Sequence, residues 1–189
     1  MIKKIIKRLL TFFFHPSTII HYRNFRKTIL APSVVLKNPK YMKLINCEFA
    51  RGCTIKCFPT SKGKKILLEA TNSYFGDEVY LSSGGGVKIN GITCAPKVFI
   101  GSYKHVLPIS IHSQELTDSH YLITILPGTF IGQSACIAGN ITIGNNCVIG
   151  FGTIVTKSIE NDCMCVGNPG RVIKRYNRKN GEWERYETN

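Results

Sequence analysis

His105, His112 and His120 stand seven and eight residues apart, within or beside a Pro108–Pro127 stretch that carries no repeat. An imidazole titrates near neutrality, so each could take a proton from a hydroxyl nucleophile at pH 7, with Glu115 or Asp118 placed to orient it. Three histidines could also hold zinc, but such a site needs convergent geometry. Farther on, Arg171 and Lys174 follow Gly167-Asn168-Pro169-Gly170 directly. A guanidinium fork and a mobile ammonium suit phosphate oxygens, although solvated surface charge is the usual role of isolated basic residues. The eight cysteines do no comparable chemistry: Cys53-x3-Cys57 and Cys163-x-Cys165 lack the paired C-x2-C form of structural zinc sites. They read as reduced thiols that pack as small hydrophobes, which implies a cytosolic setting and no metal.

The elements that must position these groups come from a repeat. Ile131, Ile137, Ile143, Ile149 and Val155 recur every six residues, and each is followed by a small residue: Gly132, Ala138, Gly144, Gly150 and Thr156. Ala135, Ile141, Cys147 and Thr153 stand four places after the first four aliphatics. Neither an amphipathic helix nor a free-standing strand has this period. It fits a coil of three short strands per turn, each side sending one aliphatic inward and relaxing at a small corner residue. The repeat continues upstream in broken form, as Phe49 to Ile55, Phe75 to Leu81 to Val87, and Ile100 to Val106. It is interrupted at Pro59–Lys65, at Gly84–Gly86 and, longest, over 108–127. Long excursions from a repeat usually carry function.

With 189 residues, 43% of them apolar and 19% charged, the chain is long enough for one domain with a sizeable core. The net charge of +14 points to phosphates or anionic lipid. Nucleic acid is disfavoured, because the stretch Ile131–Val155 has no charged residue and no basic, aromatic-studded working face. The charge gathers at the ends: Lys3, Lys4, Lys7 and Arg8, then Arg171, Lys174, Arg175, Arg178 and Lys179. Residues 2–14 predict an amphipathic helix, with Ile2, Ile5, Ile6, Leu9, Leu10, Phe12 and Phe13 on one side and the basic residues with Thr11 on the other, ended by Pro16. It is too short to span a bilayer and lacks the form of a signal peptide. It could lie on the anionic cytoplasmic leaflet, cap the open end of the coil, or do both.

The run Ile131-Gly-Gln-Ser-Ala-Cys-Ile-Ala through Val155-Thr156-Lys157, then Gly167-Asn-Pro-Gly-Arg-Val-Ile-Lys174, resembles the hexapeptide-repeat acyltransferases. It is most similar to the maltose and galactoside acetyltransferases and to bacterial surface-polysaccharide O-acetyltransferases. The likeness is tight over about 129–175 and looser back to about residue 75. It implies an all-β solenoid, a left-handed parallel β-helix that trimerises, with active sites between neighbouring subunits. The expected organisation is an N-terminal amphipathic helix and cap over 1–32, the β-helix over 33–166 with its loop 108–127, and a helical tail over 167–189.

The resemblance also implies residue roles. His112 falls where the family carries its general base, with His120 as rival, since some sialic-acid O-acetyltransferases use a similar Asp-Ser-His run. Ser82 falls where relatives place an asparagine near the thioester. Ala138 and Phe151 would line the pantetheine channel, Thr156 and Lys157 would meet pantetheine and pyrophosphate, and Arg171 and Lys174 would hold the 3′-phosphate of coenzyme A. The implied reaction is acetyl transfer from acetyl-CoA to a sugar hydroxyl of a surface polysaccharide or its lipid-linked precursor. Alternatives are N-acetylation of an amino nucleotide sugar, a β-helical zinc hydratase of the γ-carbonic anhydrase type, and a non-catalytic solenoid. The compartment expected is the cytoplasm, possible peripheral membrane contact running through residues 2–14.

Overall fold

The structure is a computed structural model that describes residues 2–58, 66–102 and 121–186. Helix α1 (Ile2–Phe14) and the single turn α2 (Ser17–Ile20) come first. The first coils comprise β1 (Ile29–Leu30), β2 (Val35–Lys37), β3 (Met42–Ile45), β4 (Glu48–Phe49), β5 (Thr54–Cys57) and β6 (Leu68–Thr71). The middle coils comprise β7 (Tyr74–Phe75), β8 (Tyr80–Ser83), β9 (Val87–Asn90), β10 (Thr93–Cys94), β11 (Phe99–Ser102) and β12 (Ile123–Ile125). The late coils comprise β13 (Phe130–Ile131), β14 (Cys136–Ala138), β15 (Ile141–Ile143), β16 (Val148–Ile149), β17 (Ile154–Val155) and β18 (Cys163–Val166). The chain then forms β19 (Arg171–Asn177) and β20 (Glu182–Arg185).

Successive strands fall in rotation into three sheets, ordered β1-β4-β7-β10-β13-β16-β18-β19-β20, β17-β14-β11-β8-β5-β2 and β15-β12-β9-β6-β3. We call them faces A, B and C. Pairing is parallel throughout the coil, for example Phe130 with Val148 on face A and Cys136 with Ile154 on face B. A three-faced parallel coil is what the six-residue period demands: each step of the repeat advances one face.

The inward ladder is the core. Ile131, Ile137, Ile143, Ile149 and Val155 are all buried, as are Ala135, Ile141, Cys147 and Thr153. Upstream, Phe49, Ile55, Phe75, Leu81 and Ile100 hold the same positions; on face C the equivalent of Ile143 is Ile89, eight residues after Leu81, and the expected Val87 instead aligns with Ile141. Phe49 and Phe75 stack at 4.3 Å between centroids. Val106 lies outside the described residues. At Gly132 and Gly144 the small residue after the aliphatic is a packing requirement. A Cβ on Gly132 would stand 2.6 Å from the Phe151 backbone nitrogen, and one on Gly144 2.5 Å from that of Asn161. All eight cysteines are free, and seven of them are buried.

The C-terminal segment departs from expectation. In place of a helical tail, β19 and β20 form an antiparallel hairpin that pairs with β18 and extends face A. The reason is local and physical. β18 presents a strand edge for pairing, and Asn180-Gly181 supplies the turn, Gly181 having φ +76°. Tyr176 and Trp183 meet across the pair with ring centroids 5.4 Å apart.

Candidate active site

On face B, the residues that follow the inward aliphatics form one row across the strands. Lys56 pairs with Ser82, Ser82 with Gly101, and Gly101 with Ala138. Val155 pairs with Ile137, so Thr156 comes next in the chain just where the row would continue. Strands in a sheet are about 4.8 Å apart, which puts Ser82 and Ala138 about 10 Å from each other across Gly101. Ser82 is buried, whereas Lys56 is half-buried with its Nζ 5.0 Å from the Tyr80 ring centroid. Gly101 is absent from the expected site residues, although the rule that marks Gly132 and Ala138 also marks it, since it follows the inward Ile100.

A pocket of about 250 Å³ lies at the last coil, with Thr156, Lys157, Gly170, Arg171 and Tyr186 in its wall. The chain reaches it by two routes: Lys157 follows β17, and Arg171 opens β19. Between them, the Ile154 carbonyl accepts the Gly170 N–H at 2.8 Å, and the Gly167 carbonyl accepts the Ile154 N–H at 3.0 Å. Gly170 is tightly enclosed, because a Cβ there would sit 3.0 Å from Cys165 Sγ and 3.1 Å from the Ile154 oxygen and its neighbours would have to give. The described wall contains two cations and no carboxylate, an electrostatic setting that favours an anion. Cys165 also lines it, but burial pushes its thiol up to about 11, so it is not a thiolate nucleophile at neutral pH. A roomier recess of about 510 Å³ runs past Gly144 and Ile159; its wall includes Glu160 and Asp162, the partners of Arg175 and Arg178. Carboxylates and neutralised arginines make it a poorer place for phosphates.

Three expected coenzyme residues, Thr156, Lys157 and Arg171, therefore share one pocket, and Ala138 shares a row with Ser82. Lys174 is exposed on β19, opposite Met164 and Arg185, outside that wall. Phe151 occupies the turn between β16 and β17 and is 85% exposed. Tyr186 is an addition: the hairpin returns it to the pocket, where Arg175 sits 5.3 Å from its ring centroid. A tail expected to be helical could not reveal it, whereas the Asn180-Gly181 turn signal could. His112, its rival His120, His105, Glu115 and Asp118 lie outside the described residues. The chain enters that stretch from β11, the strand that carries Gly101, and returns to β12.

The three-faced parallel coil, closed by a hairpin at its C-terminal end, defines a β-helical protein. The Escherichia coli K12 protein named for lipopolysaccharide-biosynthesis O-acetyl transfer, WbbJ, is 30% identical over 132 residues, 65% of this chain and 67% of its own length. The chain belongs to the hexapeptide-repeat acyltransferase family. A Saccharomyces cerevisiae protein named as an acetyltransferase, YJL218W, is 28% identical over 123 residues, 61% of this chain and 62% of its own length. A Synechococcus elongatus serine acetyltransferase is 44% identical over 52 residues, covering 28% of this chain and 21% of that one. Among solved structures, the N-acyltransferase AntD from Bacillus cereus, in complex with dTDP and 3-hydroxybutyryl-CoA, shares the fold. It superposes with a TM-score of 0.67 at 16% identity, over 86% of this chain and 89% of its own. No protein-family model matches the chain.

Proposed function

We propose that this protein is an O-acetyltransferase that moves an acetyl group from acetyl-CoA to a sugar hydroxyl of a bacterial surface polysaccharide or its lipid-linked precursor. The observation that carries the reading is the anion pocket shared by Lys157 and Arg171, set at the end of the row that runs from Ser82 through Gly101 to Ala138. In this reading the coil is left-handed and three copies assemble about a three-fold axis. Coenzyme phosphates rest on Arg171 and Lys157, with Lys174 as an outlying contact. The pantetheine arm runs along the row toward the loop 108–127, and Gly101 keeps its path open. The 30% identity to WbbJ supports a polysaccharide acceptor. AntD, whose complexes hold coenzyme A and a nucleotide sugar, supports the pairing of those two substrate classes on this fold.

The chemistry needs one proton acceptor. His112 takes the proton as the sugar oxygen attacks the thioester carbonyl; the tetrahedral intermediate then collapses with cleavage of the carbon–sulfur bond. The coenzyme leaves as its thiolate, which recovers the proton from the imidazolium, so no covalent enzyme intermediate forms. Ser82, in place of the relatives' asparagine, lies along the row to hydrogen-bond the acceptor or the base. The protein works in the cytoplasm at the inner face of the membrane, held there by α1. No described helix is long and apolar enough to cross a bilayer.

Calorimetric titration with acetyl-CoA, followed by mass analysis of lipid-linked glycan incubated with both, tests the proposal. Saturable binding and a gain of one ester-linked acetyl group are expected. An acetylated amino group on a nucleotide sugar, with no ester product, would transfer the assignment to N-acetylation.

A further inference from the structure

Helix α1 turns part of its polar side toward the coil. Thr11 is buried, Arg8 is half-buried and the exposed Lys7 reaches Glu48, while His15 just after the helix and Thr18 on α2 are also buried. The Thr11 hydroxyl accepts the Leu30 N–H at 2.9 Å, and the His15 ring lies 3.0 Å from the Ala31 carbonyl oxygen. The apolar residues of α1 look outward instead, with Leu9 63% and Phe13 77% exposed, and Ile20 at the end of α2 is 79% exposed beside them in sequence. Surface helices of soluble domains do the reverse, and a contiguous exposed apolar patch marks a docking surface.

Charge selects the occupant. Before Glu48 the chain has no Asp or Glu, while Lys3, Lys4, Lys7, Arg8, Arg26 and Lys27 all precede it. A second copy on this face would bring the same cations, whereas an anionic bilayer neutralises them. At the foot of the helix Arg8 and Lys27 line a recess of about 270 Å³, beside Asn46 and Ser73. Arg8 Nε is sealed from solvent there and has no hydrogen-bond partner among the described residues. The single carboxylate in the wall, Glu48, is held by Lys7 at 2.8 Å. A buried, unpaired guanidinium N–H is costly, and phosphate oxygens are its best complement.

We propose that this end of the molecule binds an anionic phospholipid, the acyl region meeting the outward face of α1 and the phosphate diester entering the Arg8–Lys27 recess. The proposal deepens the peripheral-membrane part of the function above and rests on it. It is tested by co-sedimentation of the full chain with three vesicle types: phosphatidylcholine alone, with phosphatidylglycerol, and with oleate at equal charge. These assays contain no acetyl donor and no acceptor, so a failure of acetyl transfer does not affect them.

Binding is expected to be strongest to phosphatidylglycerol vesicles. The Leu9→Ser/Phe13→Ser double variant should lose binding to all three vesicle types. Arg8→Gln should cost about fivefold, the worth of one interfacial cation. Arg8→Lys, which keeps the charge but loses the planar fork, should erase the preference for phosphatidylglycerol over oleate. Circular dichroism of each variant verifies that it remains folded. If Arg8→Lys retains that preference, the recess is not a phosphate site although membrane binding stands. If the wild type ignores phosphatidylglycerol vesicles, or light scattering shows Leu9→Ser/Phe13→Ser dissociating a larger assembly, the face is not a lipid surface. Glycerol phosphate in solution binding as tightly as vesicles would move the site to a soluble ligand and overturn the bilayer assignment.

Discussion

Lys157 and Arg171 line the same pocket from opposite sides of the Gly167–Gly170 turn, one following the last strand of face B and the other opening the terminal hairpin. Two cations from separate elements line that wall with no carboxylate among its residues, the basis of the proposed coenzyme-phosphate contact. Hydrogen bonds to charged groups contribute about 1.5–3 kcal/mol each, so Arg171→Ala should weaken coenzyme A binding on the order of 10- to 100-fold. The loss should be much smaller for 3′-dephospho-coenzyme A. Calorimetry with the two ligands makes the comparison, and equal losses would remove the 3′-phosphate assignment.

His112→Ala should cost about 10²–10⁴-fold in turnover while coenzyme affinity stays within twofold of wild type, a range typical for loss of a general base. In the intact protein, kcat/KM should fall on the acid side as the imidazole base protonates. The same two measurements on His120→Ala decide between the histidines. A large loss there, with His112→Ala active, would reassign the base.

The corners of the coil offer a test of the repeat itself. Gly144→Ala places a methyl 2.5 Å from the Asn161 backbone nitrogen and must displace backbone, which should destabilise the protein by about 1–3 kcal/mol. Gly152, at φ +66° with open space around its Cβ position, is the contrast. Gly152→Asn suits a left-handed residue and should change stability by less than about 1 kcal/mol. Thermal unfolding of the pair reads the difference, and equal melting temperatures would mean the corners are not packed as described.

The pair Asp162–Arg178 predicts a pH dependence. Arg178 donates to both carboxylate oxygens at 2.8 Å, and Asn146 donates to one at 3.1 Å. The Arg178 hydrogen bonds foremost hold the Asp162 carboxyl below its usual range. A depressed carboxylate stabilises the fold above its unfolded pKa of about 3.9 and loses that contribution as pH falls through the folded value. Wild type should therefore unfold at higher denaturant than Arg178→Ala near neutrality, and the gap should close progressively below about pH 4. A gap that persists unchanged to about pH 2 would rule the linkage out.

Much of this architecture is legible in the sequence because a coil repeats one environment. Ile131, Ile137 and Ile143 occupy equivalent inward positions on three faces, so each restates the others. The same logic carries to Gly101 on the face B row, where the long excursion that follows obscures the step. The hairpin is harder to read. Its strand character depends on the edge of β18, a tertiary partner, and only Asn180-Gly181 signals it locally. Tyr186 comes with the hairpin and is hidden for the same reason. For Phe151 the chain near a turn points a large apolar side chain into solvent, a choice that hexapeptide periodicity does not encode. The inward polar side of α1 is likewise invisible to a helical wheel, which divides the faces without saying which one meets the protein.

The closing of all three faces at the last coil has a mechanical meaning. Face A is continued by the antiparallel hairpin, face B is met by the Gly167 and Gly170 backbone, and on face C Ile159 pairs with Ile143 while its N–H bonds to the Thr142 carbonyl. A parallel coil left bare at its end is a template on which another coil, from the same or a neighbouring molecule, can grow. Here faces A and B meet backbone that departs from the coil, and face C is met by the single parallel bridge of Ile159. The hairpin thus acts as a stopper, and a lesion that frees it would bare the edge of β18.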